Sequence, residues 1–226
     1  MFIYDEFYFI YAIIIFSISM FANIRIQSTF RKYSKMKCRL SGYDASNLVL
    51  MQNDVTGIRF YKTQGNLTDY FDPRTNSISL SDGVYDEFNV SAVGVGAHEA
   101  GHAVQMARNY FPMKVRHFLV PVTNFCSALS MPLFFMGLIM VYDSLMTFGI
   151  ILFSVSVLFH IVTLPVESDA SNRALRALEQ SGRLSAEELE GAKKVLMAAR
   201  FTYIAAILTS LISLLRLIML SNRRKK

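Results

Sequence analysis

The sequence predicts a mainly α-helical membrane protein, with about four transmembrane helices and a small cytosolic α+β region. Composition is the first observation, because 53% of the 226 residues are hydrophobic and only 18% are charged, which is too apolar for a typical soluble domain. The second is that apolar residues collect into four runs, each close to the length that crosses about 30 Å of hydrocarbon as a helix. The runs cover residues 7–24, 118–142, 148–165 and 203–220.

These runs divide the chain into five predicted segments. They are an N-terminal transmembrane anchor (1–25), a polar region (26–117), a transmembrane hairpin (118–165), a second polar and helical segment (166–201), and a C-terminal transmembrane helix with a basic tail (202–226). The first run follows Asp5 and Glu6 rather than a basic stretch, and no small-residue cleavage site comes after it. We therefore expect a retained anchor and not a removed signal peptide.

Basic residues predict the orientation of these segments. Six of them follow the anchor at once: Arg25, Arg31, Lys32, Lys35, Lys37 and Arg39. Because Lys and Arg collect on the cytosolic side of membranes, the two polar segments are predicted to face the cytosol. With four spans the basic tail at 223–226 would face outward, against the same tendency, but it carries far fewer Lys and Arg than the polar segments.

The net charge of +6 does not by itself indicate nucleic-acid binding, because the basic residues cluster beside membrane segments, where they set the orientation. The sequence contains no zinc-finger, aromatic-basic or phosphate-loop pattern, so nucleic acid is not a predicted partner. Cys38 lies in a polar segment and Cys126 in an apolar run, and this separation predicts that they form no disulfide.

The first polar region is predicted to begin with a short helix and two strands. Ser41 starts the helix, which ends near Asn53, and residues 58–61 and 76–80 alternate in the manner of strands. An extended substrate can add to a strand edge by backbone hydrogen bonding. Residues 76–80 are therefore a candidate substrate edge, and a purely structural hairpin is an equally open interpretation.

A longer helix is predicted from a cap at Asn89 or Ser91 to about Asn109. Its residues near 97–105 are mostly small or apolar, which suits a helix buried beneath a cleft.

This helix carries the pattern H-E-x-x-H. Residues four apart share one helix face, so the imidazoles of His98 and His102 can bind one Zn²⁺ together. Glu99 lies beside the metal, where its carboxylate can take a proton from zinc-bound water and later pass it to a leaving amine. The pattern predicts metal-assisted hydrolysis of a peptide bond. The alternative is a pair of ordinary histidines on an amphipathic helix.

A third ligand is predicted from the second polar segment. Glu167 and Asp169 lie on the same side of the membrane as His98, because two spans intervene. Helix positions two apart diverge by about 200°, so the two carboxylates cannot both point at one ion. We favour Glu167 as the ligand, with Asp169 orienting a metal-bound histidine or pairing with Arg173. Alternatively, Asp169 is an ordinary acid complementing a helix dipole.

Other polar residues have weaker assignments. His160 lies inside an apolar run, where a polar side chain usually finds a partner in the helix bundle, and His117 suits headgroup contact. Asn172 and Arg173 follow Glu167 closely and are candidate transition-state stabilisers.

The third apolar run is predicted to end at Leu164–Pro165. Two amphipathic helices are predicted over about 171–200, broken at Ser181–Gly182.

The motifs together resemble one family. After an N-terminal anchor, three motifs follow in the chain. The first is Tyr70-Phe71-Asp72-Pro73-Arg74, and the second is Ala92-Val93-Gly94-Val95, which leads to His98-Glu99-x-x-His102-Ala103-Val104-Gln105. The third is Leu164-Pro165-Val166-Glu167-x-Asp169-Ala170-Ser171. Over nearly the whole chain this resembles the bacterial membrane neutral zinc metallopeptidases often called YugP-like.

The resemblance implies a zinc-dependent peptidase of the bacterial cytoplasmic membrane with a zincin-like region. It implies His98 and His102 as ligands and Glu99 as the catalytic acid and base. The chain is also distantly similar to the HtpX and CAAX prenyl membrane proteases, whose third ligand is a Glu followed four residues later by Asp. Here the acid comes two residues after Glu167, and Ser171 stands at the fourth position.

Three functions are consistent with the sequence. The favoured one is a membrane zinc endopeptidase at the cytosolic face, acting on peptides or proteins, including membrane proteins. A site-2-type intramembrane protease would need the motif inside a spanning helix, but residues 91–109 include Gln105 and Arg108 and are rich in Gly and Ala. The third is a non-catalytic membrane scaffold braced by zinc.

Overall fold

The computed structural model describes residues 8–224, in which six α-helices and three β-strands form. In chain order they are α1 (Tyr8–Tyr33), α2 (Gly42–Gln52), β1 (Arg59–Thr63), β2 (Tyr70–Asp72), β3 (Ser77–Ser81), α3 (Val90–Ala107), α4 (Phe111–Met140), α5 (Asp143–Ser181) and α6 (Ala186–Arg224). Asp5, Glu6, the predicted start of the first span at position 7, and the tail residues Lys225 and Lys226 lie outside the described residues.

Four of these helices, α1, α4, α5 and α6, are long and apolar enough to cross a membrane. The remaining elements are short and form a small α+β region. The predicted fold class, a mainly α membrane protein with about four spans and a small α+β region, is therefore confirmed.

The predicted end of the third span at Leu164–Pro165 is not a helix end, although the boundary between the two compact units of the chain falls between the same two residues. Helix α5 continues through Pro165 to Ser181, so the span and the first amphipathic helix form one element. Proline removes one backbone donor from the helix, which neighbouring groups can compensate. Val166 and Ala170, one and five residues after the proline, are fully buried, and this packing stabilises the continuous helix.

The predicted break at Ser181–Gly182 is confirmed. Helix α5 ends at Ser181, and Gly182 has φ +62°, a left-handed conformation that glycine adopts without steric cost. Helix α6 then joins the second amphipathic segment to the last span without interruption.

The chain forms two compact units, and the first contains most of the apolar residues. It comprises the residues up to Asn23, Val115–Leu164, and those from Thr202 onward. Its buried cluster is small, consisting of Phe134, Met146, Leu217 and Leu220. Large apolar side chains such as Phe125 are exposed on this unit, which is typical of a lipid-facing surface.

The second unit, Ile24–Lys114 with Pro165–Phe201, contains the polar segments. Helix α2 begins with a capping box, in which the Ser41 side chain accepts from the Asp44 backbone N–H and the Asp44 side chain accepts from the Ser41 backbone. The core is built from α2, α3, β3 and the parts of α5 and α6 in this unit, with Ile78 and Val93 completely buried.

The sheet has the strand order β1-β3-β2, so β3 is the central strand. It pairs in parallel with β1 and antiparallel with β2, and Ile78 lies opposite both Phe60 and Phe71. The predicted substrate edge at 76–80 is therefore wrong, because both sides of this strand are already paired. Strand β2 was absent from the prediction since it has only three residues and runs directly into the turn at Pro73.

Candidate metal centre

The motif helix α3 begins where the sequence predicts it. The Asn89 side chain accepts a hydrogen bond of 2.9 Å from the Ala92 N–H, so Asn89 is the N-cap. The helix is buried along almost its whole length. This burial fixes the direction of the side chains that it presents to α5.

Helices α3 and α5 approach closely at one glycine. A Cβ added to Gly101 would overlap the carbonyl oxygen of Ala170 and lie 3.0 Å from its carbonyl carbon. Only a residue without a side chain fits there. Because Gly101 lies between the two motif histidines and Ala170 lies three residues after Glu167, the contact brings the ligand candidates together.

His98, His102 and Glu167 converge on one point. Glu167 Oε2 lies 3.1 Å from His98 Nε2 and 3.5 Å from His102 Nε2, and the candidate ligand atoms all lie within 4.8 Å of one another. The two imidazole rings are 4.7 Å apart between centroids. Two imidazole nitrogens and one carboxylate oxygen are a donor set that zinc takes in hydrolytic sites, with a further position open for water or substrate. These residues therefore fit a zinc ion.

The carboxyl group of Glu167 is held ionised in a buried position. Its residue is only 1% exposed, and burial by itself raises the pKa of the carboxyl group. Hydrogen bonds and charge attraction from His102 and His98 outweigh this effect and lower the pKa below its usual value. A buried carboxylate of this kind requires a positive partner at its side.

Gln105 fixes the orientation of His102. Its Oε1 lies 3.1 Å from His102 Nδ1, and its Nε2 donates to the Val166 carbonyl at 2.7 Å and to Asp169 Oδ2 at 2.8 Å. Because the amide nitrogen already donates twice, the amide oxygen is the acceptor for an Nδ1–H. This contact leaves Nε2 as the nitrogen that faces the centre, and Nε2 would give up its proton to bind a metal there.

Ser171 supports the other histidine. Its Oγ lies 3.2 Å from His98 Nδ1, and the residue is buried. When the hydroxyl accepts from Nδ1–H, the Nε2 of His98 is the nitrogen that faces Glu167 and would bind a metal.

The remaining predicted site residues lie around this group. Asp169 is not among the converging side chains; its Oδ2 accepts from Gln105 and, at 2.6 Å, from Arg173 Nε. The Arg173 guanidinium carbon lies 5.6 Å from the centroid of the Tyr110 ring. Asn172 is exposed. Glu99 is 8% exposed and directly follows His98.

Neither His117 nor His160 joins the group of potential metal ligands within residues 8–224. Two polar residues that sequence reasoning did not assign, Gln105 and Ser171, contact the histidines instead. Their helical spacing was the available signal, since Gln105 is three residues after His102 and Ser171 is four after Glu167.

Comparison with known proteins gives two matches. A family model described as "Putative neutral zinc metallopeptidase" matches residues 8–222. A relative from Bacillus subtilis (strain 168), named "Putative membrane protease YugP", is 38% identical over 205 residues, which cover 90% of this chain and 91% of the relative. No solved structure matches the chain. Both matches extend over the motif helix and over the segment that contains Glu167.

Proposed function

Because the chain belongs to the neutral zinc metallopeptidase family, we propose that it cleaves peptide bonds through one Zn²⁺ held by His98, His102 and Glu167, with Glu99 as general base. Membership of the family makes the protein a zinc-dependent membrane peptidase and confirms the resemblance of its motifs. The observation that carries the assignment of ligands is the convergence of two imidazole nitrogens and one buried carboxylate.

The roles proposed for the side chains follow from their chemistry. Zinc, when bound, polarises the scissile carbonyl and lowers the pKa of water. The Glu99 carboxylate takes the proton from the attacking water and returns it to the leaving amine. Gln105 and Ser171 hold the Nδ1 sides of the two imidazoles, so that each Nε2 is the nitrogen that would bind the metal. Asp169, oriented by Arg173, supports Gln105.

We place the site on the cytosolic side of the bacterial cytoplasmic membrane. The support is the excess of Lys and Arg in the two segments that supply the site. Helix α3 is not one of the four helices in residues 8–224 that are long and apolar enough to span. This favours a peptidase at the membrane surface over an intramembrane protease. From that position the proposed site can act on membrane proteins as well as on peptides.

A Glu99→Gln variant tests the catalytic role. We expect the variant to retain zinc, because Glu99 is not a ligand, while cleavage of a peptide library falls by about 10²- to 10⁴-fold. Zinc content is measured by elemental mass spectrometry and cleavage by mass spectrometry of the library. Glu179→Gln, which makes the same charge change at an exposed position of α5, is the control and should keep both properties.

The outcomes separate the alternatives. Cleavage that survives Glu99→Gln would contradict the general-base role. Wild-type protein that holds zinc but cleaves no member of the library would favour the zinc-braced scaffold.

A further inference from the structure

A basic groove lies in the second unit, and none of the candidate metal ligands lines it. It encloses about 570 Å³ between α1 and α6. Its charged lining residues are Arg25, Lys32, Glu190, Lys193 and Lys194. Thr29 and Tyr33 on α1 and Met197 and Ala198 on α6 complete the lining.

The groove carries a net positive charge. Four of its side chains are cationic and one is a carboxylate. Glu190 pairs with Lys194 at 3.6 Å and lies 4.0 Å from Lys193, and these exposed pairs are weak. No ion pair within residues 8–224 involves Arg25 or Lys32, which instead lie over the rings of Phe201 and Tyr33 at 4.7 Å and 5.4 Å. Their N–H groups are thus available to an anion.

The groove also lies where two helices change from apolar to basic sequence. Arg25 directly follows the first apolar run, and Phe201 comes two residues before the last one. Because Arg25 contacts Phe201, both helices make this change at the same level. Spanning helices leave the hydrocarbon at such a change, and lipid phosphates lie at that depth.

We propose that this groove binds the phosphate group of an anionic phospholipid. Arg25 offers a planar fork of donors and the lysines offer mobile ammonium groups, which together suit a phosphodiester. Met197 and Ala198 supply apolar contact for the glycerol and upper acyl chain. This lipid site is separate from the peptidase chemistry and does not depend on it.

Lipid binding by full-length protein in nanodiscs tests the proposal. Wild-type protein is expected to enrich phosphatidylglycerol over phosphatidylcholine among the lipids that remain bound in native mass spectrometry. An R25Q/K32Q variant should lose about thirtyfold in affinity for phosphatidylglycerol, because each of the two basic residues contributes about fivefold near a lipid surface. E190Q removes the carboxylate from the groove and should raise the affinity about fivefold.

The control is R59Q/R176Q, which makes the same charge change at two exposed positions outside the groove. It should bind phosphatidylglycerol like the wild type. Zinc content monitors folding, and if R25Q/K32Q loses zinc, K193Q/K194Q takes its place with the same expected loss.

Three results would overturn the proposal. They are unchanged lipid binding in both groove variants, an equal loss in R59Q/R176Q, and displacement of the lipid by inorganic phosphate at an ionic strength where chloride has no effect. The last result would identify the groove as a site for free phosphate instead.

Discussion

The two helices that supply the candidate metal ligands differ in what fixes the positions of those ligands. Helix α3 supplies His98, Glu99 and His102 within one and a half turns, so helix periodicity alone sets the separation of the two imidazoles. Helix α5 supplies Glu167, 69 positions away from His98, and its placement depends on tertiary packing. The proposed site thus joins a pair of candidate ligands fixed by local structure to one fixed by the fold.

Removing the distant ligand should have the largest effect. Glu167→Ala deletes the proposed third zinc ligand and leaves the histidines without their carboxylate. Zinc affinity and cleavage should therefore fall by more than the roughly 10- to 100-fold typical of removing a residue that hydrogen-bonds to a metal ligand. Asp169→Ala removes only an acceptor of Gln105 and Arg173 and should stay within that range. Zinc titration with a competing chelator measures both. A larger loss in Asp169→Ala would exchange the two proposed roles.

The contact between the helices can be changed without altering any ligand. Gly101→Ala places a methyl group against the Ala170 backbone, which cannot move without separating α3 from α5. We expect overpacking to cost about 1–3 kcal/mol in the free energy of unfolding, with weaker zinc binding. Chemical denaturation and chelator titration measure the two effects.

Gly94→Ala is the matched control on the same helix. A Cβ there would meet its nearest neighbours, in Ala192 and Val195, at 3.6 Å, an ordinary contact. Helix propensity should then stabilise the protein by about 0.5–1 kcal/mol. Equal zinc binding by Gly101→Ala and the wild type would show that close helix approach does not position Glu167.

The same contrast explains what the sequence could predict. The histidine pair follows from spacing in a helix, and the α3 and α2 caps follow from Asn89 and Ser41. The proximity of Glu167 to the histidines follows from the predicted topology, in which two spans would return the chain to the same side of the membrane. That the side chains of Glu167 and Asp169 point in different directions follows from helix geometry, because the two residues are two positions apart.

What the sequence could not predict depends on contacts between distant elements. Helix continuity through Pro165 requires the burial of Val166 and Ala170. The central position of β3 requires a partner, β2, too short to have a recognisable alternation. The contacts of Gln105 and Ser171 with the histidines require the relative rotation of α3 and α5 to be known.

The smallest expected effects come from replacing Gln105 and Ser171, the two residues that contact the histidines, and the two effects should be unequal. Gln105→Met keeps the side-chain volume but leaves the Val166 carbonyl, Asp169 and His102 Nδ1 without their amide partner. We expect a loss of zinc affinity toward the upper end of about 10- to 100-fold. A buried polar group left unsatisfied costs more than a lost bond.

Ser171→Ala removes only the hydroxyl acceptor of His98 Nδ1. His98 is the more exposed histidine, with 13% of its side chain accessible against 7% for His102, so water can replace the hydroxyl. The loss should therefore lie near or below the lower end of that range. Chelator titration ranks the two variants, and a Ser171→Ala effect as large as that of Gln105→Met would mean that α5 orients the histidine pair as strongly as α3 does.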